Sequence, residues 1–168
     1  MPHFLFLTAT NGNNLELAQS LSNFAEAEGA STEIIQLDEL DLPLFSPNNK
    51  ERLGSPEPAE LLTSKLQAAD GLILLAPEYN GSIPPIVTTA IAWMSVAGGD
   101  FRAAFNGKFA VVGTHSGGNG FKVLEAMRSQ LSHLGMIVMP RTFNTSSQPQ
   151  NPDSAKAIFK TLVDLTNR

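Results

Sequence analysis

Gly71-Leu72-Ile73-Leu74-Leu75-Ala76, continued by Pro77-Glu78-Tyr79-Asn80-Gly81-Ser82-Ile83-Pro84-Pro85, is the stretch on which the reading of the chain turns. Its first half is apolar without alternation, which suits a central parallel strand covered by helices on both faces. Its second half carries three prolines and a glycine that set the path of a long connection. From about Ile86 to Val96 the apolar residues Val87, Ala90, Ile91 and Met94 then fall at helical spacing. The stretch is therefore one strand-loop-helix unit.

The same unit recurs on both sides. His3 to Leu7 predicts a strand that ends in the polar run Thr8-Ala9-Thr10-Asn11-Gly12-Asn13-Asn14, and from Leu15 a helix places Leu17, Leu21 and Phe24 inward before Gly29. Thr32 to Leu37 predicts a second strand. The proline-containing stretch from Asp41 to Pro58 reads as a connection, leading to a helix marked by Leu62, Leu66 and Ala69. Beyond the central unit, Phe109 to Gly113 predicts a fourth strand and Thr114 to Gly120 a polar, glycine-rich loop. A helix with Phe121, Leu124, Met127, Leu131 and Leu134 inward follows, then a fifth strand at Met136 to Met139. Asn151 and Pro152 have the order of an N-cap and first helical position, opening a last helix that buries Ala155, Ile158, Phe159 and Leu162.

Parallel neighbours need crossover helices, and those crossovers are right-handed. Five such strands predict an α/β, doubly wound parallel sheet in the flavodoxin-like order 2-1-3-4-5, a three-layer αβα sandwich spanning 1–168 as a single domain. In that order the strands ending near residues 7, 76 and 113 are neighbours. The loops after them meet at one edge of the sheet, and they are the three most unusual loops in the sequence.

Composition narrows the function classes. A chain of 168 residues, 42% hydrophobic, can bury a sizeable core. It has no cysteine, so a disulfide scaffold, a thiol nucleophile and a Cys-ligated metal are excluded. The net charge of −5, without a basic block, argues against nucleic acid. No segment has the length of a membrane span and the amino terminus lacks a signal-peptide pattern, so the expectation is a soluble cytoplasmic protein. Charged residues make up only 16% of the chain, below the usual quarter, which predicts surface packed against another subunit.

The first loop offers hydroxyls at Thr8 and Thr10, amides at Asn11, Asn13 and Asn14, and a close backbone approach at Gly12, immediately before a helix. Backbone N–H groups and the positive end of the helix dipole then form an anion site suited to a phosphate monoester. Neither G-x-x-x-x-G-K-[ST] nor G-x-G-x-x-G is present, which removes the usual triphosphate and dinucleotide devices.

The central loop, followed through its helix to Ala90-Ile91-Ala92-Trp93, resembles the P-E-Y-N-x-S-x-P…A-I-x-W signature of NAD(P)H-dependent FMN reductases, a flavodoxin-like family that includes quinone, azo and chromate reductases. The resemblance extends to Gly107-Lys108, to His115-Ser116-Gly117-Gly118 and to Leu134-Gly135-Met136, and so covers roughly residues 3 to 140. It implies FMN as cofactor, NAD(P)H as electron donor, a small-molecule electron acceptor and a homodimer or homotetramer. It places the flavin phosphate at Thr8 to Leu15, and the isoalloxazine ring against Pro77, Glu78, Tyr79, Asn80 and Gly81. Ser116, Gly117 and Gly118 close the other side, with His115 beside the ring. Glu78 has two further readings, as a cap of its own loop or as a contact across an interface. Trp93 reads as helix packing or as an interface residue.

One departure stands out. The family's phosphate loop commonly reads G-S-x-R-x-x-S-x-N-x-x-L, and only Asn14 and Leu17 are in register with it here. The chain instead resembles the hydroxyl-rich loop of flavodoxins, which holds phosphate without a cation. A missing charge-assisted hydrogen bond costs about 1.5–3 kcal/mol, roughly 10- to 150-fold in affinity.

With a flavin carrying the chemistry, no protein acid or base is required, and no catalytic residue is assigned. His3, His115 and His133 read as structural, and none has metal-ligand spacing to another, so no metal is expected. Two competing readings remain. One is a flavodoxin-like electron carrier that binds FMN without oxidising nicotinamide. The other is a hydrolase, because Thr114-His115-Ser116-Gly117-Gly118 falls one residue short of the G-x-S-x-G elbow. The hydrolase reading lacks its usual order, since the only later histidine, His133, precedes Asp153 and Asp164.

Overall fold

The computed structural model describes residues 1–97 and 100–167. Its strands are β1 (His3–Thr8), β2 (Ser31–Gln36), β3 (Gly71–Leu75), β4 (Phe109–Thr114), β5 (Ile137–Val138) and β6 (Phe143–Asn144). Its helices are α1 (Asn13–Ala27), α2 (Pro47–Leu53), α3 (Glu57–Ala68), α4 (Pro85–Val96), α5 (Phe121–His133) and α6 (Pro152–Thr166). The sheet order is β2-β1-β3-β4-β5, with β6 also on β4, and every pair is parallel. This is the flavodoxin-like order expected from the sequence.

Alternation along the central strands divides the core into two layers. Leu5 and Leu7, Leu72 and Leu74, and Ala110 and Val112 face one side, where they pack with Leu62 and Leu66 of α3, Val87 and Met94 of α4, and Met127 and Leu131 of α5. Phe4 and Phe6, Ile73 and Leu75, and Val111 face the other, against Leu17 and Leu21 of α1 and Ile158, Phe159 and Leu162 of α6. Both faces being covered explains why β3 reads as a continuous apolar run. Several helix starts follow their local chemistry. Asn151 Oδ1 accepts from Ser154 N at 3.1 Å ahead of Pro152, and Ser46 Oγ accepts from Asn49 N at 3.1 Å ahead of Pro47.

The structure corrects the sequence reading at three places. The expected fifth strand, Met136 to Met139, is Ile137–Val138 only, and the edge resumes at Phe143–Asn144 beside the far end of β4. Pro140 has no N–H for a ladder, and Arg128 fills in from α5, donating to the carbonyls of Val138 at 3.4 Å and Pro140 at 3.3 Å. Second, the stretch from Asp41 to Pro58, read as a connection, contains α2. That helix buries no residue and so shows no apolar stripe. Third, Phe121 is 66% exposed rather than inward, because it opens α5, whose buried face is Val123, Leu124, Met127 and Leu131.

Trp93 is fully buried and belongs to the interior. Its Nε1 donates to the Pro43 carbonyl at 2.7 Å and its ring meets Phe45 edge-on at 5.1 Å, which ties the long connection to α4. At the sheet edge opposite the three loops, Lys108 Nζ donates to the carbonyls of Gln67 and Ala69 and caps the end of α3. Burial pushes its amine below the usual lysine range, with Asp70 acting in the opposite direction.

Gly113 marks the tightest approach in the sheet. A Cβ there would lie 2.5 Å from Leu75 Cδ2 and 2.9 Å from Phe143 Cβ, whereas one at Gly117 would meet nothing within 4 Å. Gly113→Ala is expected to cost about 1–3 kcal/mol, lowering Tm by roughly 2–12 °C, and Gly117→Ala to leave Tm in place. Thermal unfolding by circular dichroism checks both.

Candidate functional site

The strand order brings the loops after β1, β3 and β4 together, and two hydrogen bonds extend the ladder past the strand ends. Ala9 N donates to the Leu75 carbonyl at 2.9 Å and Ala76 N to the Gly113 carbonyl at 3.2 Å. Beyond them opens a cleft of about 420 Å³, lined by Thr10, Asn11, Gly12, Asn13, Asn14, Pro77, Glu78, Tyr79, His115, Ser116 and Gly117. Of the residues expected from the sequence, Thr8, Leu15, Asn80, Gly81 and Gly118 lie outside this lining. Thr8 is fully buried at the end of β1, and its Oγ1 has no hydrogen-bond partner.

At one end of the cleft α1 begins without a side-chain cap. Its N-cap is Gly12, at φ 78°, so no side chain accepts from the first N–H groups of the helix. Thr10, Asn11 and Asn13 are half-buried or exposed around it. Asn11 N is already engaged, donating to Asp38 Oδ2 at 3.1 Å.

The side chain of Asn14, also in this turn, points elsewhere. Its Oδ1 accepts from His115 N at 2.8 Å and its Nδ2 donates to the His115 carbonyl at 2.9 Å. This two-point pairing fixes the orientation of the amide and joins the first loop to the third. His115 is held on its other side by Nδ1 against Thr145 Oγ1 at 3.0 Å.

The third loop is joined to the second through Ser116. Its Oγ accepts from Glu78 N at 2.8 Å and pairs with Thr114 Oγ1 at 2.7 Å, while Ser116 N donates to Ser146 Oγ at 3.0 Å. The hydroxyl is buried in this set, and no histidine ring is among its partners, so the hydrolase geometry is not assembled here. Glu78 Oε2 accepts from Lys122 N at 3.1 Å and Val123 N at 3.2 Å, capping α5, whose own N-cap is Gly120. It therefore caps the next helix in space, not its own loop.

Tyr79-Asn80-Gly81-Ser82 is a two-residue hairpin turn, with Tyr79 N and Ser82 N each donating to the other residue's carbonyl at 3.0 Å. Asn80 at φ 52° and Gly81 at φ 75° supply the two left-handed positions of a type I′ turn. The turn holds Tyr79 out at the cleft wall, 47% exposed. Sequence reasoning missed the loop after β6, where Thr145 and Ser146 anchor His115 and Ser116. Its only signal was a cluster of small polar residues, which resembles any surface turn. It also missed Asp38 and Lys122, whose importance depends on what folds beside them. Among the described residues, no group of three or more His, Asp or Glu could hold a metal ion, and no helix is long and apolar enough to cross a membrane.

The Asn14 pairing has a measurable consequence. Asn14→Ala leaves the part-buried His115 N–H and carbonyl without these partners, with an expected cost of about 1–3 kcal/mol. The His115 amide is expected to exchange slowly with deuterium in the parent protein and fast in the variant, as read by NMR. Unchanged protection removes Asn14 as the link between the loops.

Comparison with known proteins identifies the family. Residues 5–150 match the family described as NADPH-dependent FMN reductase. A 2-hydroxy-1,4-benzoquinone reductase from Burkholderia sp is 29% identical over 128 residues, 75% of this chain and 66% of that protein. The aligned stretch thus spans just under two thirds of that relative's length. A quinone reductase from Pseudomonas putida is 30% identical over 152 residues, 88% of this chain and 78% of that protein. Among solved structures, a flavoenzyme NAD(P)H:(acceptor) oxidoreductase from Paracoccus denitrificans superposes with a TM-score of 0.75 at 20% identity, covering 99% of this chain and 96% of its own. The chain belongs to the NADPH-dependent FMN reductase family.

Proposed function

We propose that the cleft holds FMN and that the protein passes electrons from NAD(P)H through it to quinones, free flavin or similar small acceptors. One observation carries this reading: a single cleft joins an uncapped helix start at one end to a rigid hairpin and a glycine loop at the other. The residues present fit the group. A phosphate at Gly12 to Leu15 would take the free N–H groups of α1, with the Thr10 hydroxyl and Asn13 amide beside it. No residue from Thr8 to Leu15 is basic, so the phosphate is bound by hydrogen bonds and the helix dipole alone. The ring would be held by Pro77, Glu78 and Tyr79 on one side and His115, Ser116 and Gly117 on the other, where Gly117 leaves open space at its Cβ position.

Bound FMN supplies two-electron chemistry between a reduced nicotinamide and the acceptor: NAD(P)H, a proton and a quinone give NAD(P)⁺ and a hydroquinone. The chain's own residues bind and orient. Asn14 and Ser116 hold the glycine loop at a fixed height over the second loop, and the Asn80-Gly81 turn sets the position of Tyr79. His115, fixed through Nδ1, keeps Nε2 as its free ring nitrogen. The names of the Burkholderia and Pseudomonas relatives support the choice of acceptor class. Low charge density favours a homodimer or homotetramer.

Two measurements test the reading. The protein, mixed with FMN and dialysed, is expected to retain flavin absorption bands and to oxidise NAD(P)H when a quinone is added. Retained flavin without nicotinamide oxidation leaves an electron carrier, and no retained flavin overturns the cofactor site. In the second, Thr10→Ala with Asn13→Ala weakens FMN by about 10-fold or more and riboflavin far less, as read by flavin fluorescence. Equal losses for both ligands argue against a phosphate at α1.

A further inference from the structure

A second cavity, of about 240 Å³, adjoins the flavin cleft and shares Glu78 with it; its other lining residues are Asn119, Gly120, Phe121 and Lys122. We propose that it is a subsite for an aromatic group carrying a negative charge, with Phe121 receiving the ring and Lys122 the charge, while Tyr79 stands in the wall of the adjoining larger cleft. The proposal rests on the reading of the larger cleft as the flavin site and adds a substrate class to it.

Three observations converge. Phe121 is 66% exposed and Tyr79 47%, so two aromatic side chains stand uncovered on elements that meet at Glu78. Aromatic rings bury large area on one another, in offset or edge-on arrangements, and such surface in a cavity wall suits a planar ligand. Lys122 extends to the hairpin. A Cβ at Gly81 would lie 3.3 Å from its Cδ and 3.6 Å from its Nζ, so the exposed side chain lies against the Gly81 end of the turn. Among the described residues no carboxylate lies within ion-pair distance of that ammonium. Glu78, the acid in the same cavity, has Oε2 engaged by the N–H groups at the start of α5.

The surroundings give this cation weight. The chain carries a net charge of −5, and two carboxylates stand at the cleft: Glu78 in its lining and Asp38, which follows β2 and accepts from Asn11 N of the first loop. An anionic ligand approaching an acidic protein is repelled except where an unpaired cation offsets the field. The cavity is below the size that encloses a drug-sized molecule, and suits one or two fused rings with an acidic substituent. Two sources present that chemistry: an acceptor such as a quinone bearing a sulfonate, carboxylate or acidic hydroxyl, and the adenosine 2′-phosphate of NADPH.

The test uses full-length FMN-loaded protein and its Lys122→Gln and Lys122→Glu variants, with naphthoquinone sulfonate and unsulfonated naphthoquinone as acceptors and NADPH or NADH as donor. The kcat/KM ratio of sulfonated to unsulfonated quinone is expected to fall about 3- to 10-fold in Lys122→Gln, further in Lys122→Glu, with the effect shrinking in high salt. A fall in the NADPH-to-NADH ratio instead, the same for either quinone, supports the subsite and assigns its charge to the donor phosphate. Unchanged ratios overturn the proposal. Equilibrium dialysis of naphthoquinone sulfonate and of adenosine 2′-phosphate against FMN-free protein separates this failure from failure of the flavin reading. Both ligands binding Lys122→Gln as well as the parent overturn the subsite even in a protein that turns nothing over, while loss of FMN binding alone overturns only the flavin site.

Discussion

β1, β3 and β4 are buried on both faces, and the rest of the molecule depends on that constraint. Their side chains alternate between two apolar layers, so the faces are closed and the strands can offer polar chemistry only at their ends. Right-handed crossovers then send each chain out at the same edge. Because the order runs β2-β1-β3-β4, the first helix and the later crossovers lie on opposite sides, and a crevice is left between the loops after β1 and β3. The cleft is a result of this topology before any particular side chain is considered.

Half of the polar side chains in the cleft are occupied in holding the loops. Asn14 pairs with the His115 backbone, Ser116 receives Glu78 N, Glu78 caps α5, and Thr145 and Ser146 steady His115 and Ser116 from beside the third loop. What remains for a ligand is the open start of α1, the side chains of Thr10, Asn11, Asn13 and Tyr79, and the backbone around Gly117. This division suits a cofactor that brings its own reactivity and asks the protein for position. The absence of arginine from the first loop accords with the proposed phosphate site there, since the N–H groups at the start of α1 are oriented by the fold.

The sheet and its order were legible because continuous apolar runs and helical spacing survive in short windows: Leu72 to Leu75 is buried throughout, and Leu17 with Leu21 and Ile158 with Leu162 turn inward as their spacing requires. Where a segment buries nothing, as in α2, spacing is silent. The broken edge strand escaped notice for a related reason, since Pro140 interrupts a strand whose two halves are each two residues long. Phe121 misled the reading because a helix face continues past the last strand that can cover it.

Within the site, sequence alone determined which loops meet at one edge of the sheet and which family signature the second carries. Those properties are local, set by residue types and spacings over ten or fifteen positions. Tertiary structure decided which polar groups remain free. Whether Asn14 faces a ligand or the His115 backbone, and whether Glu78 meets a flavin or the start of α5, depends on partners about 101 and 44 residues away. A buried hydrogen-bonding group must be satisfied by whatever the fold brings beside it, and local spacing does not record that neighbour.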